Sequence, residues 1–208
     1  CLVVIATLSW RGVSFVSPQQ YAIVQKRLDT SLFDAPKGRV EDMDAWIQMS
    51  SDSLKRFTGK SLFDYMEGVE TPSQVHNHER YAVLSHGTQD DPVYCYFNKA
   101  AFLQFKWSEE EVYQLPSRYS APDGEAQTVR QSFVEQALQE DCKEISSVVR
   151  QTKDGELFEM ANVILWNVYN DRGEFVGQTA FYDRDLVRPV LPSLGAVTKG
   201  KEEASDAV

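Results

Sequence analysis

The three histidines of this chain are the side chains most able to ligate a metal or to act in acid–base chemistry. His76 and His78 lie two positions apart, a spacing that places both rings on one side only in an extended strand. No third ligand accompanies them at a regular spacing, so a solvated linker is favoured over a metal site. His86 precedes Gly87 at the start of a turn. We expect it to form a hydrogen bond there rather than to serve as an axial haem ligand.

The three cysteines, Cys1, Cys95 and Cys142, have neither the spacing of a disulfide framework nor that of a zinc site. Cys95 lies in an apolar run, as expected of a buried structural thiol. Cys142 follows two acidic residues, which would raise the pKa of its thiol and make it less reactive. The cysteines therefore predict neither a redox centre nor a nucleophile.

Hydrolytic catalysis also lacks a recognisable arrangement. None of the histidines lies beside a Gly-x-Ser-x-Gly elbow. The acidic run at residues 109–111 is typical of the first turn of a helix rather than of a catalytic acid–base pair. The sequence therefore predicts a protein that is not an enzyme.

Composition limits the class of partner. The chain has 208 residues and a formal net charge of −10, and its lysines and arginines form no basic stripe, so nucleic acid is not an expected partner. No apolar run approaches the roughly 20 residues that a membrane-spanning helix needs. Hydrophobic residues make up 42% of the chain, which is enough for one sizeable core.

The stretch of residues 84–98 predicts a strand, a turn, a second strand and a helix cap. Residues 87–92 are rich in turn formers, and residues 93–97 are β-branched and aromatic. Asn98 precedes a helix-like run at residues 99–105 and is expected to accept a backbone N–H at its start. This stretch would supply the first two strands of a sheet.

Helices are predicted on both sides of this stretch. The first candidate spans residues 21–29, and a second spans residues 40–57 and ends near Gly59. A third spans residues 124–139. The apolar stripe of the second comprises Met43, Trp46, Ile47 and Leu54, and that of the third comprises Val129, Phe133, Val134, Ala137 and Leu138.

The final third of the chain predicts three strands, at residues 143–152, 157–169 and 174–182. An Asp-Gly turn joins the first two, and an Asn-Asp-Arg-Gly turn joins the second and third. The five predicted strands have one face each to bury. They indicate an α+β fold in which a five-stranded antiparallel sheet carries short helices on one face, with a helical extension before it.

The element order and three stretches of sequence resemble the MEKHLA domain, a PAS-related family. The stretches are LKRFTGKSL at residues 54–62; VLSHGT, DP and NKAA between residues 83 and 101; and LPSRYSA at residues 115–121. The family includes stand-alone proteins of bacteria and algae and the ends of class III homeodomain–leucine zipper factors of plants. Neither a homeodomain nor a leucine heptad occurs in this sequence, so the transcription-factor role does not transfer. The resemblance implies a PAS-like fold and a sensory or regulatory role.

A PAS-like fold also implies a ligand cavity between the sheet and its short helices. Side-chain filling of the same space, as an ordinary core, is the alternative. A flavin–cysteine adduct is not expected, because the helix-like run at residues 98–104 contains no cysteine. The resemblance identifies neither the ligand nor a cofactor. The residues predicted to line the cavity are Tyr96, Phe102, Trp107 and Trp166, together with Tyr94 and inward residues of 157–166.

Four segments are expected. Residues 1–18 are a candidate leader remnant, 19–80 a helical extension, 81–185 the PAS-like domain and 186–208 a polar, partly disordered tail. Residues 14–18 resemble the Phe-centred cleavage region of plastid-import leaders in algae with secondary plastids. A plastid location would follow from that interpretation, and an ordinary apolar segment of the folded protein is the alternative.

The leading functional hypothesis is a PAS-like sensory or regulatory module without catalysis. It would bind a small ligand or mediate protein–protein interaction, and the helical extension could join two copies or hold another protein. Two alternatives stay open. One is a small enzyme that uses the sheet cavity, and the other is an accessory subunit of a plastid assembly.

Overall fold

The structure is a computed structural model that describes residues 38–122 and 124–191. The candidate leader remnant, the predicted helix at residues 21–29 and the tail after residue 191 lie outside the described residues. The predicted division into segments is not tested by the described part and stays a prediction.

Within the described residues from 38 onward, three helical segments precede the sheet. Helix α1 (Met43–Thr58) begins after Asp42, whose carboxylate accepts the Ala45 N–H at 2.9 Å, and it ends at Gly59 with φ of 80°. A 3₁₀ helix (Leu62–Tyr65) and helix α2 (Pro72–Asn77) follow. The predicted helix at residues 40–57 and its glycine end are confirmed.

One antiparallel sheet follows, and its strands lie in the order β2-β1-β5-β4-β3. The five predicted strands and the α+β class are thereby confirmed. A sixth strand of two residues, which the sequence did not indicate, pairs with β4. The strands are β1 (Tyr81–His86), β2 (Tyr94–Phe97), β3 (Cys142–Gln151), β4 (Leu157–Tyr169), β5 (Phe175–Asp183) and β6 (Arg188–Pro189).

Four helical segments connect β2 to β3. They are α3 (Lys99–Phe105), α4 (Glu109–Val112), a 3₁₀ helix (Ser117–Ser120) and α5 (Gly124–Glu140). A last 3₁₀ helix (Arg184–Leu186) leads from β5 to β6.

Helices cover both faces of the sheet, and each face has its own core. The N-terminal helices cover one face, and the helices between β2 and β3 cover the other. We call these the α1-side core and the α5-side core. The α1-side core includes Ile47, Leu54, Val75, Tyr96, Trp166 and Phe181; the α5-side core includes Leu84, Tyr94, Phe105, Val134, Met160 and Leu165.

Asn98 joins the N-terminal helices, the sheet and α3. Its side-chain oxygen accepts the Ala101 N–H at 3.1 Å, which confirms the predicted cap, and also the Val83 N–H at 2.9 Å. Its amide nitrogen donates to the carbonyl oxygens of Val75 and Tyr81 at 2.9 and 2.7 Å. One buried side chain therefore satisfies four backbone groups on three elements.

A buried chain of hydroxyl groups holds α1 to the sheet. The Trp46 indole donates to Ser85 Oγ at 3.0 Å, and Ser85 Oγ lies 2.8 Å from Thr179 Oγ1. Ser50 Oγ donates to the same Thr179 oxygen at 2.9 Å. Gly177 of β5 lies beside this chain, and a Cβ added to it would overlap the His86 carbonyl oxygen of β1 and lie 3.1 Å from Trp46 Cη2 of α1.

Replacing Asn98 by alanine should lower the free energy of unfolding by about 3 kcal/mol or more, because four buried backbone groups lose their partner. Urea denaturation of the full chain measures the change. Asn77→Ala is the matched control, since the exposed Asn77 amide makes one bond, to the Ser73 carbonyl oxygen at 2.9 Å. It should cost less than about 1 kcal/mol. Equal losses in both variants would contradict the assigned role of Asn98.

Gly177→Ala should lower the free energy of unfolding by about 2 kcal/mol, because its methyl group collides with backbone that cannot yield without moving β1. Gly124→Ala is the control, since nothing lies within 4 Å of a Cβ at this helix-start position. It should be neutral or stabilising by up to about 1 kcal/mol. Thermal unfolding of the two variants compares them, and a neutral Gly177→Ala would rule out the close approach of the Gly177 Cα to the His86 carbonyl oxygen of β1.

Candidate functional site

A cavity of about 60 Å³ lies on the α5 side of the sheet. All five main strands contribute to its wall, and α3, α5 and the 3₁₀ helix at residues 117–120 complete it. Ten lining residues are apolar, and the lining contains no Asp or Glu. The polar lining residues are His86, Tyr94, Ser120, Arg130, Arg150 and Gln178.

Strand register brings a row of polar side chains under this cavity. His86 at the end of β1 pairs with Tyr94 of β2 on one side and with Gln178 of β5 on the other. Gln178 in turn pairs with Asn167 of β4. Directly opposed residues on neighbouring strands share a face of the sheet, so these four side chains form one row across four strands.

Two hydrogen bonds that the Gln178 amide donates hold this side chain in one orientation. Its amide nitrogen donates to the Val134 carbonyl oxygen of α5 at 3.1 Å and to Asn167 Oδ1 at 3.0 Å. Because both amide hydrogens are used, its oxygen is available only as an acceptor. Gln178 Oε1 is buried and has no hydrogen-bond partner among residues 38–122 and 124–191.

His86 presents a second acceptor to the cavity. Its Nδ1 lies 3.0 Å from the Gly87 carbonyl oxygen, which can only accept, so the ring hydrogen belongs to Nδ1. Burial and the charge of Arg130 lower the pKa of His86 from 6.5 to about 3, so the ring is neutral at pH 7. Its Nε2 therefore carries a lone pair, and this atom finds no partner in the described part of the chain.

Two arginines face the same cavity. Arg130 is 5% exposed, and its guanidinium donates to Ser117 Oγ. Arg150 is half-buried as a residue, and its Nη1 donates to the Val149 carbonyl oxygen at 2.9 Å. Desolvation lowers the pKa of both guanidinium groups, that of Arg150 to about 10, so both stay charged at pH 7.

Neither cavity arginine forms an ion pair with a carboxylate of the described residues. Nearby, the Tyr182 hydroxyl is fully buried and also has no hydrogen-bond partner there. Burial raises the pKa of Tyr182, so this hydroxyl stays protonated and can donate. The cavity lining thus combines two guanidinium groups that have no carboxylate partner in the described residues with two unsatisfied polar atoms, and a third unsatisfied atom, the Tyr182 hydroxyl, lies behind the lining.

The four residues predicted to line one cavity are divided between the faces of the sheet. Tyr96 and Trp166 belong to the α1-side core. Phe102 and Trp107 pack against the α5-side core but do not line the cavity, whereas Tyr94 does. Ligand binding by the four predicted residues stays a prediction, and the structure does not bring them together.

Two strand irregularities cause this division. Cys95 is an extra residue in β2, because Ser85 pairs with Tyr96 and the next residue, His86, pairs with Tyr94. The bulge places Tyr94 and Tyr96 on opposite faces, although simple alternation predicts one face. In β4, Asn162 has φ of 52°, and the residues facing α5 change there from even to odd positions.

Arg130, Arg150 and Gln178 were missed by the sequence analysis. A weak signal existed for Gln178, a polar residue in the middle of an apolar strand. Arg130 is adjacent to Val129, which was placed on the buried stripe of α5 but is 45% exposed, while Arg130 is buried in its place. The predicted stripe of α5 is therefore confirmed at Val134 and Ala137 and wrong at Val129.

The remaining chemical groups have structural roles. The His76 ring bridges the Tyr96 hydroxyl at 2.6 Å and Asp44 Oδ1 at 2.7 Å. Burial raises the pKa values of the Cys95 and Cys142 thiols. Within the described ranges, no three His, Cys, Asp or Glu side chains come together as metal ligands. Those ranges also hold no helix that is both long enough and apolar enough to cross a membrane.

The depressed pKa of His86 predicts a pH effect on stability. The unfolded chain binds a proton at this ring below about pH 6.5, whereas the folded chain does so only near pH 3. As the pH drops from about 6.5 to about 3, the titration of His86 should therefore lower the free energy of unfolding by about 1.4 kcal/mol per pH unit. His86→Asn, whose amide can still donate to Gly87, should lack this component.

The measurement is urea denaturation of both proteins between pH 7 and pH 5, above the range in which most carboxylates titrate. His76 and His78 are present in both proteins, so their contributions cancel in the difference. Parallel curves for the wild type and His86→Asn would show that His86 is not buried as a neutral ring.

Comparison with known proteins gives one family and a set of solved structures. The family model described as the MEKHLA domain matches residues 44–184. A search of curated proteins finds no match.

The solved structures that resemble this chain include PAS and LOV domains. A PAS domain of a protein from Colwellia psychrerythraea is 13% identical and has a TM-score of 0.46, covering 57% of this chain and 92% of that one. A variant of Vivid is 17% identical with a TM-score of 0.42, over 49% of this chain and 79% of that one. The LOV domain of the blue-light photoreceptor Aureochrome1 is 10% identical with a TM-score of 0.39, over 50% and 73%.

The observed antiparallel sheet with its flanking helices agrees with the PAS-like fold that the sequence resemblance implied. The family model spans more than half of the 208 residues, and this chain therefore belongs to the MEKHLA domain family.

Proposed function

We propose that this protein is a sensory or regulatory module without catalytic activity, which binds a small ligand in the cavity between the sheet and α5. The observation that carries the proposal is the set of buried polar atoms that face this cavity without partners: His86 Nε2 and Gln178 Oε1. Folded proteins satisfy most such atoms, because each unsatisfied one costs about 1–3 kcal/mol. A bound ligand would supply the missing partners.

The position of Gln178 supports a sensory role. The amide whose oxygen faces the cavity also donates to the Val134 carbonyl oxygen of α5. Asn167, its neighbour in the polar row, donates to the Ala137 carbonyl oxygen at 3.0 Å, one turn further along the same helix. A ligand that binds Gln178 would thus act on a side chain that holds α5 to the sheet.

Catalysis is less well supported. The enzyme alternative would be favoured if His86, Asn98 and a carboxylate converged on this cavity, because such a group of side chains could transfer protons. His86 lines the cavity, but Asn98 is fully engaged with backbone groups, and the described lining contains no carboxylate. In the described lining, His86 is therefore accompanied neither by Asn98 nor by a carboxylate that could exchange a proton with it.

Interaction with a partner protein or a second copy through the N-terminal helices stays a second prediction. The apolar stripe of α1 packs against the sheet, and Ile47 and Leu54 are fully buried. A partner would have to contact the polar outer face of α1. Location in a plastid, and membership of a plastid assembly, also stay predictions.

Filling the cavity should abolish ligand binding. Ala180 lines the cavity from the middle of β5, and Ala180→Leu adds three carbon atoms there. A panel of small cationic, neutral and anionic metabolites is screened against the full chain by thermal unfolding, and binders are measured by calorimetry. At a concentration of 100 Kd, a binder should add about 2.7 kcal/mol to the free energy of unfolding. We expect Ala180→Leu to weaken binding at least about tenfold.

Ala45→Leu, at an exposed position of α1, is the control and should bind as the wild type does. Circular dichroism confirms that Ala180→Leu is folded. The proposal fails if the panel contains no binder at millimolar concentration, or if Ala180→Leu binds with unchanged affinity.

A further inference from the structure

The charge of the cavity indicates the class of ligand. Arg130 and Arg150 bring two positive charges to its wall, and no described lining residue is acidic. Buried charges are ordinarily paired, because an unpaired one loses its hydration without compensation. The described residues supply no anionic partner for these guanidinium groups, so the partner would be an anion that is not part of the chain. A carboxylate suits them, since arginine binds it through parallel N–H donors.

The uncharged polar atoms add a second requirement. Gln178 Oε1 and His86 Nε2 can only accept hydrogen bonds, as their other atoms fix the amide orientation and the tautomer. An inorganic anion without hydrogen, or a simple carboxylate, has nothing to donate to them. A ligand that satisfies both sets carries a negative group and a hydroxyl group.

Size gives the third requirement. Cavities that hold drug-sized ligands measure about 300–1,000 Å³, whereas this one measures about 60 Å³. A ligand of a few heavy atoms fits this volume, and a nucleotide-sized cofactor does not fit without movement of α5.

We propose that the cavity binds a small hydroxycarboxylate, with its carboxylate on Arg130 and Arg150 and its hydroxyl donating to Gln178 or His86. This inference rests on the proposed function, because it assigns a chemical class to the ligand of the same cavity.

The test is calorimetric titration of the full chain with glycolate, acetate and nitrate at pH 7. Glycolate should bind, and acetate should bind about tenfold more weakly because it lacks one hydrogen bond. Nitrate, an inorganic anion without hydrogen, should also bind more weakly than glycolate, because it has nothing to donate to Gln178 or His86. Binding of nitrate or acetate as tightly as glycolate would overturn the assignment of a hydroxycarboxylate.

Arg150→Met and Arg130→Met remove one charge each at nearly constant side-chain length. Each should weaken glycolate binding at least about tenfold. Arg56→Met, on the exposed surface of α1 across the sheet, is the matched control and should leave the affinity unchanged.

Thermal unfolding without ligand separates a binding role from a structural one. If Arg150 is a ligand anchor, Arg150→Met should raise the melting temperature, because it removes an uncompensated buried charge. A lower melting temperature together with unchanged glycolate affinity would show that the arginine is structural and would overturn the inference.

The outcomes also separate this inference from the proposed function. Suppose that another compound of the metabolite panel binds, that Ala180→Leu abolishes its binding, and that both arginine variants still bind it. The cavity is then a ligand site, and only the hydroxycarboxylate class is wrong. If glycolate and the whole panel fail to bind, both proposals fail together.

Discussion

A sheet that is covered on both faces must satisfy its polar side chains from within, because water no longer reaches them. The two faces of this sheet meet that constraint differently. On the α1 side, Trp46, Ser85, Thr179 and Ser50 form a closed hydrogen-bonded chain. On the α5 side, at a similar depth, His86, Gln178 and Tyr182 each keep one atom that has no hydrogen-bond partner among the described residues.

This contrast assigns different roles to the two layers of helices. The N-terminal layer is joined to the sheet by a complete network, and the Trp166 indole adds a bond to the Ser50 carbonyl oxygen at 2.9 Å. The α5 layer is joined by Gln178 and Asn167, whose neighbours include the unpaired groups of the cavity. The proposed ligand would therefore act on the attachment of the α5 layer and leave that of the N-terminal layer unchanged.

The cavity arginines fit the same interpretation. Guanidinium groups that are withdrawn from water and have no carboxylate partner cost stability, and such costs are found where binding requires them. Two surface arginines of the described residues are ion-paired in the ordinary way: Arg118 binds Asp91, and Arg80 donates to Asp183 at 2.6 Å. Arg130 and Arg150, which line the cavity, have no such carboxylate partner among the described residues.

Local physical chemistry determined much of this fold from the sequence alone. Asn98 caps a helix because its side chain lies next to free N–H groups of the following turn, and Gly59 ends one because glycine adopts positive φ easily. The five strands and their hairpin turns depend on residues adjacent in the chain. The family resemblance rests on the same local stretches.

The tertiary structure alone decided which side chains share a cavity. One extra residue in β2, at Cys95, moves the later side chains of that strand to the opposite face of the sheet. The distortion at Asn162 has the same effect on the later side chains of β4. Tyr96 and Trp166 therefore lie across the sheet from Phe102 and Trp107. The site that emerged joins Arg130 of α5, Arg150 of β3 and Gln178 of β5, because strand register and helix rotation are set by packing between distant segments rather than by neighbouring residues.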